Sequence, residues 1–257
     1  MKHLNMTHQE ALLTLTLRLG DDPLILGHRL GEWCSKAPIL EEDLALTNMA
    51  LDLIGRAEVL LRYAAEVEGK GHTEDDLAYK RGERRFFNHL LVEQPNGNFA
   101  FTIARQLFVS AFEYFYYSEL MNSKDATLSA IAHKAIKEIK YHLKHAGDWT
   151  IRLGDGTDES HHKLQEAIKE LWMYTGEMFE TDEVDEQMAE MGIAPLPSEL
   201  YGKWKTWMID LLTEARLSLP DEGYMQTGSR KGIHTEYLGY ILADMQYLQR
   251  AYPDAKW

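Results

Sequence analysis

The segment IKEIKYHLKHAGDW contains a carboxylate and an imidazole, Glu138 and His142, at a spacing that could hold a metal ion. A carboxylate-bridged di-iron site in a helical bundle uses a Glu-x-x-His pair on each of two helices and a further carboxylate on each of two others. Neither residue completes such a pair, because Tyr141 follows Glu138 by three positions and Ile139 precedes His142 by three. Four-residue spacing still places both side chains on one helix face, about 40° apart. For His142, a metal ligand and a surface or capping histidine are both open interpretations.

Asp52 occupies the corresponding place in an earlier segment, where a di-iron helix would carry its first ligand. Three residues later stands Gly55, which has no side chain to bind a metal, and four residues later stands Arg56. An arginine is permanently charged and cannot ligate, so its charge opposes iron nearby. Two interpretations follow: an ion pair between Asp52 and Arg56 on one helix face, or a metal motif that has lost its histidine.

Glu113 lies in the very apolar stretch LFVSAFEYFYYSEL. A buried carboxylate must be paired, bound or protonated. Glu113 therefore fits either the lone carboxylate of a metal site or an acceptor of hydrogen bonds from a neighbouring Tyr, Arg or Lys. The lone carboxylate of a first bundle helix is not fixed by spacing, and Glu32 is one candidate. We hypothesise that Arg56 supplies the positive charge that iron would otherwise supply, because the candidate carboxylates would repel one another.

The composition restricts the class of protein. The chain has 257 residues, 45% of them hydrophobic, and a formal net charge of −14 at pH 7. Nucleic-acid binding needs a basic footprint and anionic membrane surfaces attract basic segments, so the charge argues against both functions. No run approaches the roughly eighteen apolar residues of a membrane span, and the N-terminus lacks an apolar signal core. A single cysteine, Cys34, suits a reducing compartment. We therefore predict a soluble cytoplasmic protein.

These residues are expected to lie on helices, because apolar residues recur with the helical period along the chain. No segment shows a convincing alternation of apolar and polar residues, which would indicate a β-strand. Gly20 is expected to end the first helix, and Pro23 lies near the start of the second. One all-α domain over residues 1–257 is the simplest architecture. The predicted helices are 7–19, one from Pro23, 39–68, a short one within 69–82, 98–120, 125–153, 159–179, one from Ser198, and one from about 234 to 250.

Segment 39–68 is expected to lie buried in the bundle. A helix that is apolar on most sides and carries only a thin polar line is typical of a bundle interior. The polar line includes Asn48 and Asp52. The apolar stripe, expected to be buried, is formed by Leu40, Leu44, Leu51, Ile54 and Leu61.

Three segments together resemble a known family: GHRLGEWCSKAPILEEDLALTNMALDLIGRAEVLL, KEIKYHLKHAGDWTIRLGDGTDES and GSRKGIHTEYLGYILADMQYLQRAY. They are similar to the C subunit of the phenylacetyl-CoA epoxidase complex of aerobic phenylacetate degradation. The resemblance extends over nearly the whole chain, and the runs RKGIHTEYLGYILADMQYLQR and WTIRLGDGT are its most specific parts.

The resemblance implies a ferritin-like helical bundle with additional helices, related to the bacterial multicomponent monooxygenases. It implies that a homologous A subunit holds the di-iron centre and binds phenylacetyl-CoA. A reductase with flavin and iron–sulfur groups would deliver electrons from NADPH, and the complex would use oxygen to epoxidise the aromatic ring. The C subunit is expected to be a non-catalytic structural partner that docks on the A subunit and meets other subunits of the complex. A homodimer is one expected state of the chain alone.

The family pattern carries over to four positions of a degenerate di-iron site. Under this resemblance the chain itself would hold no catalytic residue, metal or cofactor. Gly55 replaces the expected histidine, and no second Glu-x-x-His pair is present. The four degenerate positions are Asp52, Glu113, Glu138 and His142.

Two other functions compete with a structural subunit: an independently active di-iron ferritin-like oxidase, and a non-enzymatic helical module in an unrelated assembly. A working site needs two Glu-x-x-His pairs, and their absence favours the structural subunit over the oxidase. CoA carries phosphates, so a chain of charge −14 is a poor sole cradle for it. Any local contribution would come from Arg230 with Lys231, or from Arg84 with Arg85.

Overall fold

The computed structural model describes residues 6–253 and residue 255, and these residues form helices without a β-strand. The all-α prediction is confirmed, while the single domain over 1–257 stays a prediction. Residues 1–5, on which part of the N-terminal prediction rests, lie outside the described residues. The α-helices of the described part are α1 (His8–Gly31), α2 (Leu40–Glu68), α3 (Glu74–Tyr79), α4 (Leu90–Glu93), α5 (Phe99–Leu120), α6 (Ala126–Gly154), α7 (Asp158–Trp172), α8 (Glu183–Glu190), α9 (Pro197–Glu214), α10 (Glu236–Met245) and α11 (Tyr247–Ala251). Short 3₁₀ helices lie at Glu83–Arg85, Gly176–Phe179 and Ser229–Lys231.

Two antiparallel hairpins, α1–α2 and α5–α6, form the centre of a ferritin-like bundle. The connections are short, at 32–39 and 121–125. Helix α5 is buried on almost all sides, as expected for a helix without a polar face. Helices α2 and α6 lie side by side and each leaves an outer face on solvent. Helices α7 and α9 cover α5 from the other side. Among the described helices, none carries an apolar segment long enough to cross a bilayer.

Helix α1 is continuous, and the predicted break at Gly20 is wrong. Gly20 lies in the helix interior against α2, where an added Cβ would be 2.8 Å from Leu61 Cδ2. The glycine therefore serves the close packing of two helices rather than the end of one. Pro23 also lies inside α1, although a proline removes one helical hydrogen bond. The helix continues through it because α1 packs along α2 over its length.

Helix α2 matches its predicted bounds but not its predicted burial. Gly69 ends it in the left-handed conformation, with φ of 69°, which favours glycine. The leucine stripe is only partly buried, because Leu40, Leu44 and Leu51 are 70%, 56% and 65% exposed. Periodicity cannot identify the buried side of a helix that is apolar all round. The buried side includes Leu46, Met49, Leu53, Leu60 and Leu61.

Hydrogen-bonding caps set the starts of the helices that follow. Asn98 and Asp125 accept backbone N–H bonds at the starts of α5 and α6. Thr157 caps α7: its hydroxyl accepts a hydrogen bond from the backbone N–H of Ser160, and the Ser160 hydroxyl accepts one from the backbone N–H of Thr157. The predicted helix 159–179 ends early, at Trp172, before a separate 3₁₀ turn. The predicted last helix is likewise divided into α10 and α11.

A buried ion pair fastens the segment before α10 to α4. His234 Nδ1 lies 3.0 Å from Glu93 Oε2, and both side chains are fully buried. His234 Nε2 lies 2.8 Å from the carbonyl oxygen of Phe86. Burial alone would lower the pKa of His234, but the hydrogen bond and charge of Glu93 outweigh it, so the pKa lies above its ordinary value of 6.5. The imidazolium can donate to both acceptors at once.

This pair predicts a pH dependence of stability. A histidine whose pKa is raised by folding stabilises the protein fully below its unfolded pKa, and that contribution is lost as the pH rises through the folded pKa. The free energy of unfolding should therefore fall as the pH rises above 6.5. In His234→Gln the decline should be shallower, because the titrating group is gone. Urea denaturation at several pH values above 6.5 measures both slopes, and equal slopes would contradict the assignment.

A second prediction concerns the glycine at the end of α6. An added Cβ at Gly154 would lie within van der Waals overlap of the Ala215 carbonyl oxygen and 2.9 Å from Leu217 Cδ1. Gly154→Ala should therefore lower the free energy of unfolding by about 1–3 kcal/mol through overpacking. Gly202, inside α9, has nothing within 4 Å of an added Cβ. Gly202→Ala is the matched control and should raise stability by about 0.5–1 kcal/mol. Chemical denaturation of the two variants tests this, and equal effects would contradict it.

Candidate functional site

Helices α2, α5 and α6 carry the predicted site residues. Asp52 lies on α2, Glu113 on α5, and both Glu138 and His142 on α6. The structure does not gather them round one centre. Arg56 of α2 pairs with Glu113 in the interior. His142 pairs with Asp52 nearer the surface. Glu138 lines an open cleft between α2 and α6.

The interior pair joins α2 to α5. Arg56 Nη2 lies 2.7 Å from Glu113 Oε1, and the two side chains are 2% and 7% exposed. The guanidinium also lies over the ring of Tyr117, 5.1 Å from its centroid, a distance at which a cation is attracted by the ring face. Tyr117 follows Glu113 by one helical turn, so both contacts come from one face of α5. The interpretation of Glu113 as an acceptor for a neighbouring arginine is confirmed.

The protonation states within this pair are set by burial and by the opposite charge. Burial alone would lower the pKa of Arg56, but the charge and hydrogen bond of Glu113 outweigh it and raise that pKa above its ordinary value. Burial raises the pKa of Tyr117, so its phenol is neutral at physiological pH. Arg56 is therefore a cation, held against the carboxyl group of Glu113 and beside a neutral ring. The predicted ion pair between Asp52 and Arg56 is wrong, because Arg56 turns inward to Glu113.

Two histidines tie α6 to α2. His142 Nε2 lies 3.1 Å from Asp52 Oδ2, with the histidine side chain 1% exposed and the aspartate 36% exposed. His145 Nε2 lies 2.8 Å from Glu42 Oε2. The interpretation of His142 as a surface or capping histidine is wrong, because its ring lies between the two helices. The fixed imidazole orientation comes from these cross-helix bonds.

Glu138 is a half-buried carboxylate at the edge of the cleft. Burial, and then the charge of Asp52, raise the pKa of Glu138 above its ordinary value, although Arg56, Lys134 and His142 act in the opposite direction. The cleft beside it has a volume of about 390 Å³ and a mostly apolar lining. Ionised Glu138 is therefore partly desolvated at this edge.

This set of side chains does not fit a pair of iron ions. Two bridged irons need two imidazoles and several carboxylates turned towards a common centre. Here the guanidinium of Arg56 lies against Glu113, and its fixed charge opposes a metal cation. Asp52 and His142 are bonded to each other. Within residues 6–253 and 255, no group of three or more His, Cys, Asp and Glu side chains is arranged to hold a metal ion.

The other candidates from the sequence lie elsewhere. Glu32 ends α1 at the surface and pairs with Arg29 at 2.8 Å, so it contributes nothing to the interior. Arg230 is not available to a phosphate, because its side chain is 9% exposed and its Nη1 lies 2.9 Å from Asp185 Oδ2. The exposed basic residues that remain from the sequence prediction are Arg84, Arg85 and Lys231.

Sequence reasoning missed a second buried charge network. Arg18 of α1 lies 3.0 Å from Asp182 Oδ1 and 3.5 Å from Asp185 Oδ2, and Arg230 shares Asp185. A further buried pair joins Asp21 of α1 to Arg81. The partners are far apart in the chain, so no spacing rule connects them. One signal was present, since Arg18, Asp21 and Asp22 interrupt the mostly apolar stretch 11–27 of α1.

Comparison with known proteins gives two matches. A family model described as phenylacetic acid catabolic protein matches residues 1–257. A relative from Escherichia coli (strain K12), the C subunit of 1,2-phenylacetyl-CoA epoxidase, is 52% identical over 246 residues. The match covers 96% of this chain and 99% of the relative.

The interior pair predicts a large difference between two arginine substitutions. Arg56→Met leaves the charge of Glu113 buried and unpaired, so the free energy of unfolding at neutral pH should fall by about 3–5 kcal/mol. Arg62 of the same helix pairs with Glu58 and Glu74 at the surface, and Arg62→Met should have little effect. The double variant Arg56→Met with Glu113→Leu should recover most of the loss, because an apolar pair can replace a buried ion pair. Urea denaturation measures all three, and equal losses in the two single variants would contradict the prediction.

Proposed function

Since the chain belongs to the phenylacetic acid catabolic protein family, we propose that it is the structural C subunit of a phenylacetyl-CoA epoxidase and has no catalytic centre of its own. The name of its Escherichia coli relative, the C subunit of 1,2-phenylacetyl-CoA epoxidase, supports the assignment to the complex. The observation that supports the non-catalytic role is the buried pair of Arg56 and Glu113 at 2.7 Å. The pair joins α2 to α5 inside the bundle, and in a di-iron protein of this kind the metal ligands project inward from facing helices of the bundle.

The physical argument rests on charge. In a di-iron bundle the metal cations neutralise the inward carboxylates, which would otherwise repel one another. In this chain the guanidinium of Arg56 neutralises a buried carboxylate instead, and it offers no open coordination position. Arg56 cannot ligate a metal ion or become deprotonated at physiological pH. A centre neutralised in this way keeps the shape of the bundle but has no site at which oxygen could be activated.

The complex as a whole would supply the redox chemistry. We propose that a homologous A subunit holds the di-iron centre and binds phenylacetyl-CoA. Electrons would come from NADPH through a reductase with flavin and iron–sulfur groups. This chain would dock on the A subunit and support its fold. The phosphates of CoA would be bound mainly by the partner, because this chain has a net charge of −14.

The decisive experiment combines expression and iron analysis. The A subunit is expressed with and without this chain, and iron content and phenylacetyl-CoA turnover are measured in the presence of the reductase. This chain purified alone should contain no stoichiometric iron and show no turnover. The A subunit should be active or stable only together with this chain. Two irons bound to this chain alone, with oxygen-dependent turnover, would instead support an independently active oxidase.

A pair of substitutions sharpens the test. Asp52→Asn and His142→Asn remove groups that a di-iron site would use as ligands. If this chain is non-catalytic, complexes assembled with either variant should turn over within about twofold of the wild type per A subunit, whereas loss of a catalytic group costs about 100-fold or more. Turnover is normalised to assembled complex, measured by size exclusion, so that an effect on docking is separated from an effect on chemistry. A loss of about 100-fold in fully assembled complex would contradict the proposal.

A further inference from the structure

Helix α2 leaves an apolar stripe on solvent. Leu40, Leu44 and Leu51 are each more than half exposed. At about 100° per residue they fall, with Gly55, within about 60° of one another round the helix. Isolated exposed leucines are ordinary, but an aligned set on one helix face is typical of a protein–protein contact.

Helix α6, beside it, carries a basic stripe. Lys134, Lys137 and Lys144 recur at helical spacing and are exposed, with Tyr141 between them 48% exposed. Lys140 borders the same stripe. Among the described residues, Lys137 and Lys140 form no ion pair or hydrogen bond. Lys144 is already paired with Asp148 of the same stripe, at 2.6 Å, so Lys137 and Lys140 are the cations of this stripe that remain available to carboxylates of a partner.

The cleft described above lies between the two stripes. Its volume is about 390 Å³, enough to accept a large apolar side chain. Gly55 opens it, since nothing lies within 4 Å of a Cβ added there. Binding energy at protein interfaces is concentrated where an apolar or aromatic anchor fills such a pocket. The lining residues include Leu51, Gly55, Val59, Ala130, Ile131 and Ala135.

We propose that this α2–α6 face is the surface that binds the A subunit, an inference that rests on the proposed function. The partner is expected to insert an apolar side chain into the cleft, to cover Leu40, Leu44 and Leu51, and to place carboxylates opposite the α6 lysines. Opposite charges across an interface select the partner and speed its association.

The size of the face agrees with this assignment. Helices α2 and α6 have 29 residues each, so each is about 43 Å long at about 1.5 Å per residue. Two such helices side by side, each about 10 Å wide, present roughly 850 Å². Stable protein–protein interfaces bury about 800 Å² on each partner. A face of two helices is therefore sufficient without help from loops.

A glycine substitution tests the face without disturbing the fold. An affinity-tagged A subunit is co-expressed with the wild-type chain or with Gly55→Phe. The amount of this chain retained per A subunit is measured, with the dissociation constant from a dilution series. The phenylalanine ring should fill the cleft and weaken binding by about thirtyfold or more, the loss typical of a hot spot. The melting temperature of the free variant should equal or exceed that of the wild type. Gly202→Phe, at an equally open glycine of α9, should bind like the wild type.

A charge variant provides an independent measurement. Lys137→Glu with Lys140→Glu reverses two exposed charges that have no partner among the described residues of this chain. It should slow association with the A subunit about tenfold or more at low salt, and the difference from the wild type should shrink as salt rises. Because both side chains are exposed, the variant tests the same face even if Gly55→Phe does not fold.

The outcomes separate this inference from the proposed function. If the wild-type chain binds the A subunit and both variants bind equally well, the α2–α6 face is not the docking surface, but the proposed function stands. If the wild-type chain does not bind the A subunit, both proposals fail. Sedimentation velocity of the chain alone gives a third outcome. A dimer of this chain that Gly55→Phe disrupts, with binding to the A subunit unchanged, would assign the face to a second copy and overturn the inference.

Discussion

The buried contact between Arg56 and Glu113 is the constraint on which the arrangement of this bundle depends. Moving two charges out of water is costly, and the cost is recovered only when they meet with good geometry. The pair therefore fixes the distance and rotation of α2 relative to α5. Tyr117 adds the face of its ring to the same cation. At the centre of the bundle the charges of Arg56 and Glu113 are opposite and in contact.

Helix α2 has two roles as a result. Its inner side supplies the cation for α5 and the leucines of the core, and its outer side presents further leucines to solvent. The histidine bonds from α6 to Asp52 and Glu42 hold the two outer helices together. In the proposed complex, covering the cleft would also remove water from the mouth of the Arg56 site and strengthen the pair inside. Docking and internal stability would then favour each other.

The sequence was sufficient to predict the helical class and the bounds of α2, α5 and α6, because helical periodicity is a local signal. It was insufficient where a residue acts through a distant partner. Gly20 is a residue type that often ends helices, but here it leaves the space that Leu61 of α2 needs for close packing. Leu51 follows the same apolar period as buried leucines, and only the packing of neighbours decides which side is covered. At the candidate site, Asp52 lies one helical turn from Arg56, but Arg56 pairs instead with the buried carboxylate of Glu113 on another helix.

The exposed leucines of α2 have a consequence for the cell. A copy of this chain made in excess would expose the apolar stripe of α2 to solvent. Such exposed apolar surfaces bind chaperones, proteases and incompletely folded proteins. Matched synthesis of the subunits would limit the lifetime of that surface. Selection would then act on gene dosage and translation rate as well as on the amino acids of the stripe. The same leucines that stabilise the assembled complex would make an unassembled subunit prone to aggregation.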